Sequence, residues 1–238
     1  VPNYALVNPE KHKDVRIITR RSADLGDNVQ LAMTFPNEFR NVQGCYPILF
    51  HKNGDDFIPV TLLGFEQNEN LFLTEQGWDA HYIPAMMRKD PFLIGTQGGG
   101  EDVKAARVFS IDMDSPRINH DQGEALFDPL GNMTPYLEGQ AALLEALYVG
   151  EKQSKLFVKA LQEQDLLESV TMDITLNDGS RNSLLGFYTI NEDKMGDLSA
   201  ETLNLMNKND MLMPLFMVLA SLSNLQRLVD LKNARLPA

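Results

Sequence analysis

Within Leu71–Gly95, which reads LFLTEQGWDAHYIPAMMRKDPFLIG, the chain sets its only tryptophan, Trp78, beside Asp79, His81 and Tyr82, with Arg88 a little further on. Aromatic faces together with a carboxylate, an imidazole and a guanidinium are the materials of a pocket wall that orients a small ligand. The same residues also suit a packed corner, where Trp78 and Tyr82 plug the space between sheet and helices and Asp79 caps a turn. Both readings stay open at the sequence level. The candidate ligand-binding residues are Trp78, Asp79, His81, Tyr82 and Arg88.

Other chemistry is harder to assemble. His12-Lys13-Asp14 has the His-x-Asp spacing of non-haem iron sites, but those ligands need a firm strand and a third, distant histidine. Here they sit in a charged N-terminal segment, so no metal is assigned. Asp112-Met113-Asp114 is read as two acids on one solvated strand face, without the glycine turn and longer ligand run that calcium requires. Cys45 lies in the apolar run GCYPILF and reads as an inert buried thiol. A single cysteine excludes an intrachain disulfide framework and a cysteine-rich zinc site. There is no Gly-x-Ser-x-Gly, and Gly98-Gly99-Gly100 lacks the Gly-Lys-Ser/Thr tail of a phosphate cradle. No cofactor and no catalytic constellation is expected.

Apolar runs at Cys45–His51 and Phe57–Phe65 flank Asn53-Gly54-Asp55-Asp56, which predicts a β-hairpin. Leu71–Leu73 is read as the next strand of a meander, after an earlier strand at Val15–Thr19. A short helix from Ile83-Pro84 through Arg88 follows, ended by Pro91. Gln97–Glu101 is expected as a mobile loop between strands at Phe92–Ile94 and Ala105–Met113. At Thr134-Pro135 the pattern turns helical, with Thr134 as N-cap and Pro135 in the first turn. Helical spacing then runs from Tyr136 to about Leu167, interrupted by Gly150 at a cost of about 1 kcal/mol that leaves room for a bend. Asp178-Gly179, between Val170–Leu176 and Leu184–Ile190, predicts a second hairpin. Ser199 caps a helix over Ala200–Lys208. A last helix spans Met211–Asn233, whose stripe Leu212, Leu215, Phe216, Leu219, Leu222 and Leu225 is expected to pack on the 136–167 helix.

The result is an α+β chain: an antiparallel β-meander or roll in the N-terminal half, packed against long helices and a β-hairpin in the C-terminal half. No repeat or long linker divides it, so 1–238 reads as a single domain.

Composition narrows the partners. The 238 residues carry 33 acidic against 21 basic side chains, a net charge of −12, which repels phosphate backbones and excludes nucleic acid. The longest apolar run, Met211–Ala220, is too short to cross a bilayer, so no membrane span is expected. VPNYALVNPEKHKD lacks the basic and apolar regions of a signal peptide, which makes a cytoplasmic location the expectation.

The succession YPILF, FIPVTLLGF, NLFLTEQGWDAHYIPAMMRKDPFLIG, LFDPLGNMTPYLE and LLGFYTINEDKMGDL, ahead of a Leu-rich C-terminal helix, resembles the SapC family of bacterial proteins over nearly the whole chain. GWDA-x-YIP and the following Pro-Phe are the most specific parts. The resemblance implies an association with surface (S-) layers, after which the family is named. It also implies loci holding TonB-dependent receptors and flavin-dependent halogenase-like genes. It brings no reaction, cofactor or catalytic residue. The expected function is therefore a non-enzymatic accessory or interaction protein, with a protein partner or a homo-oligomer formed through the C-terminal helices. The alternative is a small-ligand-binding protein or enzyme acting on a carbohydrate, peptide or aromatic metabolite in a cleft beside Trp78.

Overall fold

A computed structural model of the chain describes residues 3–97 and 106–236. The glycine-rich loop expected at 97–101 falls outside them beyond Gln97. In chain order the elements begin with β1 (Tyr4–Leu6), α1 (Pro9–His12), β2 (Arg16–Ile17), β3 (Leu31–Met33) and α2 (Phe39–Val42). Next come β4 (Ile48–Asn53), β5 (Asp56–Leu62), β6 (Leu73–Thr74), β7 (Gly77–Trp78) and α3 (Ala85–Arg88). The middle holds β8 (Phe92–Gln97), β9 (Ala106–Asp112), β10 (Ile118–Asn119), β11 (Glu124–Ala125) and α4 (Pro135–Glu163). The last part is β12 (Leu167–Thr175), β13 (Arg181–Ile190), α5 (Glu192–Gly196), α6 (Ala200–Lys208), α7 (Leu212–Ser221) and α8 (Asn224–Asn233). Among the described residues every strand pairing is antiparallel, and the fold is α+β.

Backbone contacts gather the chain into two compact units: Val1–Asp27 with Ala85–Val149, and Asn28–Pro84 with Gly150–Ala238. In the first, β9 lies between β1 and β8, and the short β2 lies between β10 and β11. Gly123 must be glycine, because its φ is +104° and a Cβ there would stand 2.3 Å from the Ile17 carbonyl oxygen. Phe92, fully buried, stacks on Phe109 with ring centroids 5.1 Å apart and meets Tyr136 of α4 at 6.2 Å. Beside them the buried Arg117 donates to Asp27 at 2.6 Å and to the carbonyls of Ile18 and Arg20. Arg21 also reaches Asp27, at 3.1 Å, and donates to the Met87 carbonyl of α3.

The second unit is built on a five-stranded sheet of order β12-β13-β4-β5-β3. Both predicted hairpins form, with Gly54 at φ +63° and Gly179 at φ +84° in their turns. The third strand of the expected meander does not join this sheet. Leu73–Thr74 instead pairs with Gly77–Trp78 as a separate small hairpin, and β3 takes the place beside β5. Ile48, Leu49 and Phe50 are all fully buried, so successive side chains on both faces of β4 are covered.

Two helical expectations change. α4 runs without interruption through Gly150, because the missing side chain is what lets Phe35 and Asn37 pack against it. The C-terminal helix breaks into α7 and α8 at Leu222-Ser223. Ser221 accepts the Ile48 N–H, and the Asn224 amide donates to the carbonyls of Gln43, Tyr46 and Ser221, which fixes the start of α8. α7 packs on α2, β13, β4 and α6 rather than principally on α4. Phe216 of the expected stripe faces solvent, and Val218 and Ser221 are buried instead. Taken end to end, α7 and α8 (Leu212–Asn233) have the length and composition to cross a membrane, with a third of their most apolar stretch buried.

Candidate functional site

The Trp78 stretch builds a hydrogen-bonded corner in the second unit. The β6–β7 hairpin, turned through Gly77 at φ +110°, aims the indole so that its Nε1–H donates to the Tyr46 hydroxyl at 2.7 Å. That hydroxyl in turn donates to the Tyr82 carbonyl. The Tyr82 hydroxyl donates to Glu38 Oε2 at 2.7 Å, and Thr34 donates to Glu38 Oε1 at 2.9 Å. Tyr46 is fully buried, packed edge-on against Phe72 at 4.6 Å, and burial pushes its phenol well above the usual range. The Arg227 guanidinium of α8 lies 5.3 Å from the centre of the Phe72 ring and donates to the Asp79 carbonyl. Arg235 adds donors to the carbonyls of Leu71 and Leu73, and Lys232 pairs with Glu66 and Glu69.

Four of the five candidate residues sit together on this corner. Trp78 and Tyr82 are half-buried, while the side chains of Asp79 and His81 are exposed. Arg88 ends α3 in the other unit, where it too is exposed. The residues that complete the corner, Tyr46, Glu38 and Thr34, escaped sequence reasoning because they lie on earlier, separately read segments. The one available signal was Tyr46 within YPILF, next to the buried thiol of Cys45.

The remaining motifs resolve structurally. His12 is buried, and its Nδ1 accepts the Asn8 N–H at 3.0 Å. Burial, the largest cause, lowers its basicity, with the Lys11 charge adding to the effect. Asp112 ends β9, and its Oδ1 accepts from the N–H groups of Asn3 and Asp114, so the two acids are not alternating strand positions. No three His, Cys, Asp or Glu side chains among the described residues gather as metal ligands.

A feature the sequence did not announce is an open groove in the first unit, of about 860 Å³, between α1, β2, the β10–β11 turn and the loop 127–134. The loop is braced from within. Asp128 accepts from the N–H groups of Leu130 and Asn132 and from the Asn132 amide, each at 2.9 Å. Those donors hold its carboxyl below the usual carboxylate range.

Antiparallel sheets with helices around them, and an aromatic corner closed by hydrogen bonds, define the class as α+β. The chain belongs to the SapC family, whose family model matches residues 7–228. No curated protein and no solved structure matches it.

Proposed function

We propose that this SapC-family chain is a non-enzymatic accessory protein that receives a protein partner on the outward face of α7. One observation carries the reading. Met213, Phe216 and Ala220, spaced as one face of a helix, stand exposed on a helix without a single charged residue. A helix that is apolar all round is ordinarily covered. Leu205 of the neighbouring α6 is exposed as well.

The occupant is a different protein with basic residues around its apolar contact. The segment leading into α7 exposes Glu192, Asp193, Asp197, Glu201 and Asp210 against Lys194 and Lys208. A second copy would bring the same acidic surroundings and another −12, whereas a basic partner is attracted. The surface-layer and TonB-receptor loci implied by the family resemblance are where such a partner is to be sought.

Sedimentation velocity of the purified chain with purified products of those loci tests this. The expected result is a complex that weakens as salt rises and is lost in Met213→Glu and Phe216→Glu. A stable dimer of the chain alone at low salt, or adsorption to lipid vesicles without a protein complex, overturns it.

The second reading is a ligand-binding or catalytic cleft beside Trp78 for a carbohydrate, peptide or aromatic metabolite. It is favoured by the half-exposed rings of Trp78 and Tyr82 next to the open side chains of Asp79 and His81. Emission from the single tryptophan is expected to respond to such a ligand. A flat response across metabolites, flavins and metal ions discards this reading.

A further inference from the structure

The groove in the first unit is used by neither reading, although one of its walls is the segment LFDPLGNMTPYLE that marks the family resemblance. Its apolar side is unusual. Leu130 is 86% exposed, yet the loop that carries it is held by the three donors to Asp128, by Gly131 N–H to the Asp128 carbonyl, and by Asp128 N–H to the Asn132 carbonyl. A loop fixed this firmly keeps an aliphatic side chain in water at the groove's edge, with Phe127 behind it. Such pre-ordering removes an entropy cost that a ligand would otherwise meet on binding.

The ionic side carries both signs. Lys13 and Arg16 supply two positive charges, and Arg16 is held there by donating to the Gly123 carbonyl at 3.0 Å. Glu10 and Asp14 supply two negative charges, and the Asp128 carboxylate, turned to its loop donors, is a third. His120 places Nδ1 3.2 Å from the Asp14 carbonyl oxygen. A carbonyl can only accept, so Nδ1 is the donor in this contact. On a chain of net charge −12 the groove lining carries three carboxylates against two cations, close to balanced at −1. A plain anion would meet three carboxylates, and a plain cation would meet Lys13 and Arg16. A molecule carrying both charges and an apolar side chain suits all three kinds of group.

We infer that the groove binds a zwitterionic α-amino acid unit with an aliphatic side chain. Its carboxylate faces Lys13 and Arg16, its ammonium faces Glu10 and Asp14, and its side chain lies against Leu130 and Phe127. A free amino acid and a short peptide with both ends close together share this chemistry.

Titration calorimetry of the full chain tests the assignment with L-leucine, leucyl-leucine, leucinamide and N-acetyl-leucine. The expected result is that leucine or leucyl-leucine binds, the better of the two naming the source. Leucinamide, lacking the carboxylate, and N-acetyl-leucine, lacking the ammonium, should each bind at least about tenfold more weakly. Leu130→Ser and Lys13→Glu, both at exposed positions, should weaken binding by a similar factor while leaving the urea midpoint unchanged. Absence of binding by both leucine and leucyl-leucine at millimolar concentration overturns the inference. So does equal binding of all four compounds, or binding that neither substitution alters.

Discussion

A methyl group at position 150 would stand 2.8 Å from Asn37 Oδ1 and 2.9 Å from Phe35 Cβ. Helix propensity alone makes Gly150→Ala stabilising by about 1 kcal/mol, but an over-packed contact opposes it by about 1–3 kcal/mol. The Asn37 amide can swing away, whereas Phe35 Cβ is fixed to the backbone, so net destabilisation is expected and a lowered urea midpoint is the check. His12 gives a pH test. Its folded-state basicity is below the ordinary value of 6.5, so the unfolded chain takes up the proton first as pH falls. Stability is unaffected well above pH 6.5, then declines from there down to the depressed folded value. Urea titrations between pH 8 and pH 5 are expected to show that decline in the wild type and a shallower one in His12→Gln. At this scale the candidate corner was half legible. Trp78 and Tyr82 announced themselves by type and spacing, but the acceptors and donors that fix them, Tyr46 and Glu38, come from elsewhere in the chain and carry no local pattern.

Among the elements, what could be read locally was read. Asn53-Gly54 and Asp178-Gly179 turn hairpins, Thr134 accepts the Leu137 N–H, and Ser199 accepts the Thr202 N–H. What could not be read was long-range. The placing of β3 beside β5 and of β13 beside β4 depends on surfaces distant in sequence. The break between α7 and α8 depends on Asn224 finding carbonyls of the 43–46 turn. The first unit has its own long-range tie in the buried pair Asp27–Arg117, with Arg21 as a third charge. Burial, followed by the neighbouring Arg117, holds the Arg21 guanidinium below its usual value. Removing the carboxylate would leave the buried Arg117 and the part-buried Arg21 without their shared counter-charge, so Asp27→Ala is expected to cost about 3–5 kcal/mol in urea unfolding. The double variant Asp27→Ala/Arg117→Met should cost less than the sum of the two single changes, because it removes the stranded charge.

Over the whole molecule, the groove was invisible in the sequence because α1, β2, the β10–β11 turn and the 127–134 loop are strung across more than half the first unit's span. The chain leaves that unit at Asp27, returns at Ala85 and leaves again partway along α4. On the ribosome, then, the first unit cannot close until Val149 has emerged, and by that time the nascent segment 28–84 hangs from it with β4 still missing β13. Contacts so far apart in sequence form late and slowly. A chain stopped after Val149 therefore carries an unfinished apolar sheet, and it is expected to precipitate or recruit chaperones where the full chain does not, as a solubility assay of the two translation products would reveal. For this protein, synthesis must pass β13 before the early residues of β4 are safe from aggregation.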